Sequence, residues 1–419
     1  MLICGKTNFV FPHILKIKCQ KQIYFPPINI TITTILLYII RTRTEKRDII
    51  ILMKVSVLQE NLVKGLFVTS RSTTTKSQLP VLGNILLATK KGKLKLSATD
   101  LETGVNFYLG AKVEKEGAIT IPSKVLLEFV SSLSAGKVDL EVKGDSLRLS
   151  SGNFKAEING IGAAEFPKIS GFSGQPSLVF EMKDFKEMVD QVVFAAATDE
   201  GRPVLTGVRL AMGSNGLVLA ATDGYRLSVK KIKDFKFKEL KKALIIPART
   251  LQEVARIKDE GKVKILLMKK NNQMVFGFED VEVVTRLIEG DFPSFEKIIP
   301  EEKKTSLIVE REEMMKAVKI AAIFARETVN IVKFQISNDK LQISANAPQV
   351  GSNVSEIEVK TEGEENKIAF NFRYLLDFLN SVSDEEIIFE MTGPLNPGVF
   401  KPKDDVSLLH VIMPVRIQK

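Results

Sequence analysis

The chain has 419 residues, with 60 Lys plus Arg against 50 Asp plus Glu, a formal charge of +10, two Cys, two His and no Trp. The length allows two to four domains, and 44% apolar with 26% charged residues is a globular composition that excludes disordered and collagen-like chains. Cys4 and Cys19 cannot build a disulfide framework or a four-cysteine zinc site, and His13 and His410 cannot form a His-rich metal centre, so a reducing compartment is the simplest expectation.

The first segment, residues 1–52, is compositionally apart. It carries eight basic and two acidic residues, a net +6, and leaves only +4 on everything that follows. Its apolar run, Ile28 to Ile40, is interrupted by Asn29 and three threonines. It falls short of the roughly 20 apolar residues that span a bilayer and lacks the flanks of a signal peptide. The expectation is sequence outside the folded domains, from a start upstream of Met53, with a membrane-surface or targeting segment as the alternative.

From Met53 onward the elements alternate in a repeating order. A helix over Glu60–Ser70 is followed by strands such as Leu94–Ala98, a second helix over Ser123–Leu133, and strands Val138–Val142 and Leu147–Leu149 joined at Lys143-Gly144-Asp145. The strands alternate apolar and polar residues, while Leu126, Phe129, Val130 and Leu133 recur at the spacing of one helix face. Helices are expected again over Lys183–Ala196 and Ala248–Ile257, then over Arg311–Phe324 and Phe372–Asn380. Pro122 and Pro247 stand at helix starts, where a missing N–H costs nothing.

Self-comparison turns this order into a threefold repeat. Gly83–Ala88 with Leu94–Asp100 matches Gly207–Met212 with Leu217–Asp223, and less closely Val332–Ser337 with Leu341–Asn346. Ala118–Phe129 matches Ala243–Val254 and Ile368–Leu379, each step about 125 residues. Glu165-Phe166-Pro167 and Asp291-Phe292-Pro293 close the first two units. The fold class is therefore α+β, three similar domains of two helices on antiparallel sheets, over 53–170, 178–300 and 305–419.

No constellation for chemistry emerges. Gly160-Ile161-Gly162 lacks the third glycine and the Lys-Ser/Thr of a phosphate loop. Glu301-Glu302, Glu312-Glu313 and Glu385-Glu386 are adjacent pairs that point apart, and His410 lies in an apolar strand as a packed residue. No Ser or Cys nucleophile has a base partner. The expectation is no enzyme, no cofactor and no metal, but a scaffold that binds.

Five segments in register carry a resemblance: Met53–Val57, Leu79–Asn84, Ala221–Leu227, Gly290–Pro300 and His410–Ile417. On them the chain from Met53 to Ile417 resembles the sliding-clamp family, the beta subunits of bacterial DNA polymerase III. The resemblance implies a ring-forming homodimer of DNA-clamp-type domains in the cytoplasm, a processivity factor encircling double-stranded DNA with helices lining the hole. A modest positive inner surface suits it, because all phosphates are equivalent to a sliding ring.

It also implies site residues. Lys76 and Arg202 occupy DNA-facing positions, with Arg249 a third. A groove for peptides of the polymerase catalytic subunit, the clamp loader and other clamp-binding-motif proteins comprises Leu205, Thr222, Gly224, Tyr225, Arg226 and Leu227. Pro293, Lys297 and Ile298 join it, as do Asn371, Tyr374, Leu395 and Pro397. Its last part is Val411, Ile412, Met413, Pro414, Val415, Arg416 and Ile417. Tyr225 stands where some members have His, and Lys297 where some have Arg. Ile323 and Phe324 match dimer-interface positions, opposite an edge strand around Phe154 and Ile158. Two other readings compete. One is a non-replicative, repeat-built interaction scaffold with a membrane-associated N-terminal segment; secreted arrays of that kind usually carry disulfides, and this body has no cysteine. The other, a hydrolase in the third repeat, lacks a constellation.

Overall fold

The computed structural model describes residues 51–416 except positions 200, 234–239 and 241, with only the backbone at Ile51 and Leu52. The leader up to residue 50 and the proposed groove residue Ile417 lie outside the described residues.

The first domain runs β1 (Ile51–Leu58), α1 (Gln59–Ser70), β2 (Asn84–Lys90), β3 (Lys93–Thr99), β4 (Thr103–Gly110), β5 (Lys112–Lys115), β6 (Ala118–Pro122), α2 (Ser123–Ser131), β7 (Lys137–Lys143), β8 (Ser146–Ser151) and β9 (Phe154–Asn159). The second runs β10 (Leu178–Glu181), α3 (Met182–Val193), β11 (Gly207–Gly213), β12 (Gly216–Thr222), β13 (Arg226–Lys233), β14 (Leu244–Pro247), α4 (Ala248–Ala255), β15 (Lys262–Met268), β16 (Gln273–Gly277) and β17 (Val281–Arg286). The third runs β18 (Thr305–Glu310), α5 (Arg311–Ala325), β19 (Ile331–Ser337), β20 (Lys340–Ala347), β21 (Gly351–Glu358), β22 (Lys360–Gly363), β23 (Asn366–Asn371), α6 (Phe372–Ser381), β24 (Glu386–Met391), β25 (Gly398–Pro402) and β26 (Leu408–Ile412). Each expected helix is present, with ends shifted by no more than three residues. The folded body starts two residues before Met53, because Ile51 already pairs with Lys143 and the Met53 side chain is fully buried.

In each domain two helices pack on the sheets through the residues that the 3.6 period selects: Leu62 and Leu66 on α1, Leu126 and Val130 on α2, and their counterparts Phe185 and Val189, Leu251 and Ala255, Met314 and Val318, Leu375 and Leu379. Gly160, weighed as a phosphate loop, is glycine because a Cβ there would lie 2.4 Å from the Thr120 carbonyl, where Ile161 bridges to Thr120.

The sheets cross the domain boundaries. β4 pairs antiparallel with β17, fusing first- and second-domain strands into one eight-stranded sheet ordered β10-β15-β16-β17-β4-β3-β2-β6. β13 pairs with β26 in the same way, within a nine-stranded sheet ordered β14-β11-β12-β13-β26-β25-β24-β18-β22. By repeat position β4, β13 and β21 are equivalent, as are β9, β17 and β26. Two of the three possible pairings are made within the chain. β9 remains at the edge of the sheet β5-β1-β7-β8-β9, and β21 at the edge of β21-β20-β19-β23.

Candidate peptide groove and nucleic-acid face

The groove begins with a tight turn between β12 and β13. Gly224 has φ +92°, a left-handed conformation that favours glycine. The Asp223 carboxylate accepts from the backbone N–H of Tyr225 at 2.8 Å and of Arg226 at 3.0 Å. The Thr222 hydroxyl donates to the Arg226 carbonyl at 2.6 Å and accepts from the Gly224 N–H at 3.0 Å. Tyr225 is thereby presented to solvent, while Leu227 turns inward.

The end of the chain locks onto this turn. The Met413 N–H donates to the Tyr225 carbonyl at 2.8 Å, and the Val415 N–H to the Ala369 carbonyl at 2.8 Å. Val411 and Ile412 are buried, whereas Met413 and Arg416 are exposed and Pro414 and Val415 half-buried. The α6 terminus completes the wall. Asn371 caps it by accepting from the Arg373 N–H at 3.0 Å, which sets Tyr374 in the first turn.

Arg226 ties the parts together. Only 11% of its side chain is exposed; Nε lies 3.1 Å from Asp223, and Nη1 bonds Asp377, one turn beyond Tyr374. Its guanidinium lies 4.7 Å from the Tyr374 ring centre and 5.5 Å from that of Phe194. Burial, then the Asp223 charge, holds the Tyr374 hydroxyl above the usual tyrosine range. The outcome is a half-buried aromatic and cationic floor with an apolar rim, the character of a surface that accepts a short peptide.

The remaining candidates attach at different strengths. Leu205 is buried in a 3-10 turn, Pro203–Thr206. Pro293, Lys297 and Ile298 are exposed on the segment whose Phe295 clusters with Leu227 and Val229 of β13 and Val411 of the paired β26. Leu395 is exposed and Pro397 half-buried on the loop before β25, where Gly398 pairs with Ile412. Arg202 is exposed and reaches the turn: Nη2 donates to the Asp223 carbonyl at 3.3 Å, and a Cβ on Gly224 would lie 3.4 Å from Nη1. Asp377, Asp223 and Phe194 were missed in the sequence. Asp377 falls three residues after Tyr374, a spacing that predicts one helix face.

Lys76 is exposed on the loop after α1, and Arg249 on the first turn of α4. Lys124 on α2 and Arg373 on α6, each the second residue of its helix as Arg249 is of α4, are exposed too. At the edges, Phe154 on β9 is 62% exposed and Ile323 on α5 is 58% exposed, while Phe324 is half-buried against the third domain's core. Ile158 differs from expectation: at 9% exposure its side chain belongs to the first domain's core, so it can offer a neighbour only its backbone. Among the described residues no group of three or more His, Cys, Asp or Glu could hold a metal, and no helix is long and apolar enough to cross a membrane.

Comparison with known proteins bears on the whole body. Residues 53–170, 180–294 and 296–416 match the N-terminal, central and C-terminal domains of the DNA polymerase III beta subunit. The beta sliding clamp of Synechococcus elongatus is 31% identical over 377 residues, covering 87% of this chain and all of that protein. Crystal structures of the DNA polymerase sliding clamp of Bacillus subtilis and of the DNA polymerase III beta subunit of Thermotoga maritima superpose with TM-scores of 0.83 and 0.81 at 27% and 30% identity, each covering 87% of this chain and all of theirs. Three consecutive domain matches in the order of the threefold repeat, on a fold whose strands join one domain to the next, show that the chain belongs to the DNA polymerase III beta subunit family, the bacterial sliding clamps.

Proposed function

We propose that the chain closes with a second copy into a ring around double-stranded DNA, and that the groove at its second domain junction takes the peptide motifs of the polymerase catalytic subunit, the clamp loader and other partners. The protein is a DNA sliding clamp, a processivity factor and not an enzyme. The observation that carries the dimer reading is the pair of leftover edges. Two junctions already pair a β4-type strand with a β9-type strand, and β21 and β9 are the unpaired members of those two types. Carrying over the register in which Phe107 faces Val281 sets Phe154 against Ser355 and Ile158 against Gly351 across the dimer.

The cations at Lys124, Arg249 and Arg373 repeat once per domain. That repetition supports a sparse positive lining for DNA, with Lys76 at a loop beside it. Arg202 serves the rim of the groove in this reading, because its guanidinium is committed to the Asp223–Gly224 turn. The domains extend over 53–170, 178–300 and 305–419, and the compartment is the cytoplasm. The test is topological: the protein is loaded on nicked circular DNA by a clamp loader, and the DNA is then linearised. Rapid loss on linearisation is expected; retention on linear DNA overturns the ring.

A further inference from the structure

A polar ladder unrelated to the groove runs across the first junction on one sheet face. Ser97 donates to the Asn106 side chain at 2.9 Å, Asn106 to Glu282 at 3.2 Å, and the Tyr108 hydroxyl to Glu282 at 3.1 Å. The Tyr108 hydroxyl is pushed up to about 12, by burial first and then by Glu282. Lys95 is the direct cross-strand partner of Tyr108, and Lys90 lies diagonally across from Lys95 on the same face. Both ammonium groups lie 6.0 Å from the Tyr108 ring centre.

Lys95 is half-buried, and its ammonium makes no hydrogen bond or ion pair among the described residues. Glu282, the nearest carboxylate in the ladder, already accepts from Asn106 and Tyr108. Lys91 and Lys93 on the same hairpin are exposed. A desolvated amine beside a second cation is the arrangement that yields a free, nucleophilic lysine at neutral pH. We infer that Lys95 is an acylation site, modified by small acyl phosphates, with Lys90 drawing the donor's phosphate to it. Burial first, then Lys90, draws the Lys95 ammonium below the usual lysine range against the opposing pull of Glu282, which agrees with the geometry.

The step balances without a further reactant. The neutral Lys95 Nζ attacks the acyl carbon, an N–C bond forms and the C–O bond to phosphate breaks. Inorganic phosphate leaves with the electron pair, and the amine proton passes to it.

The full chain is incubated with acetyl phosphate and acetylation is followed site by site by mass spectrometry. Lys95 is expected to react at least about threefold faster than Lys91 and Lys93, because more of it is free amine at neutral pH. Lys90→Ala is expected to remove that advantage and Lys90→Arg to keep it. The rate at Lys95 should level off at a pH below the usual lysine range. Equal rates at the three lysines, or a Lys95 advantage untouched in a folded Lys90→Ala protein, overturns the assignment.

Discussion

His410 is wholly buried between Phe378, stacked 5.1 Å away at an interplanar angle of 5°, and Phe194, 5.2 Å away, at the junction of the second and third domains. Neither ring nitrogen has a partner in hydrogen-bonding geometry among the described residues. Burial, then the neighbouring Arg226 charge, depresses its pKa to about 3, and the Leu227 backbone offsets this only weakly. Since the folded value lies below the unfolded 6.5, the unfolded chain binds the proton first. Stability is therefore present in full above pH 6.5 and lost as pH falls toward 3, by about 1.4 kcal/mol per pH unit. Comparing urea unfolding at pH 7.5 and pH 5, His410→Leu should lose about 2 kcal/mol less than the wild type. The same loss in both proteins contradicts the assignment. Arg226 answers to a different measurement. Arg226→Ala leaves Asp223 and Asp377 without their shared cation and should cost about 1–3 kcal/mol of stability. Affinity for a clamp-binding peptide in a titration should fall at least about tenfold. Lysine should not restore it, because the fork between two carboxylates and the stacking on Tyr374 both need a guanidinium.

Among the elements, the helices were legible in the sequence and the Thr222–Arg226 turn was not read there, although both form for local reasons. A helix face repeats every three to four residues, and an Asp-Gly turn is fixed by a side chain two residues away from the backbone it holds. The strand partners across junctions were not legible. β13 and β26 each alternate as strands should, but 178 residues or more separate the members of their pairs, from Lys230 and Leu408 outward. Only tertiary packing selects between candidate edges. Ile158 shows the same limit at one position. Alternation puts Phe154, Ala156 and Ile158 on one face, yet the core covers only the later end, so Phe154 overhangs while Ile158 is enclosed. This makes Ile323 a cleaner probe of ring closure than Phe324, whose side chain also supports its own domain's core. Ile323→Asp should halve the mass in light scattering and leave the thermal unfolding of the domains within about a degree or two, as surface substitutions do. A dimer of unchanged mass would place the interface elsewhere.

At the scale of the whole molecule, the charge of +10 divides into +6 on residues 1–52 and +4 on the rest, which holds all the described elements but the first two residues of β1. A protein that held DNA by pairing with phosphates would need a larger excess, and its grip would weaken steeply with salt. Six to ten phosphate contacts lose about 10³–10⁵ in affinity between roughly 50 and 200 mM salt. The proposed ring predicts no such dependence, because leaving circular DNA would require β9 and β21 to separate. Backbone strand pairing and apolar contact at such a junction would be little affected by screening. Once loaded on nicked circular DNA, the protein should therefore show nearly the same dissociation half-life at both salt concentrations, while its direct binding to short linear duplex falls sharply over that range. Parallel loss of both signals would mean that phosphate contacts, and not the ring, hold the DNA. Charge reversal at Lys124, Arg249 and Arg373 together should lower the duplex affinity and leave the half-life on circles unchanged. That separation follows from the proposal, in which these three helix side chains would bear on DNA while β9 and β21, which belong to other elements, would close the ring.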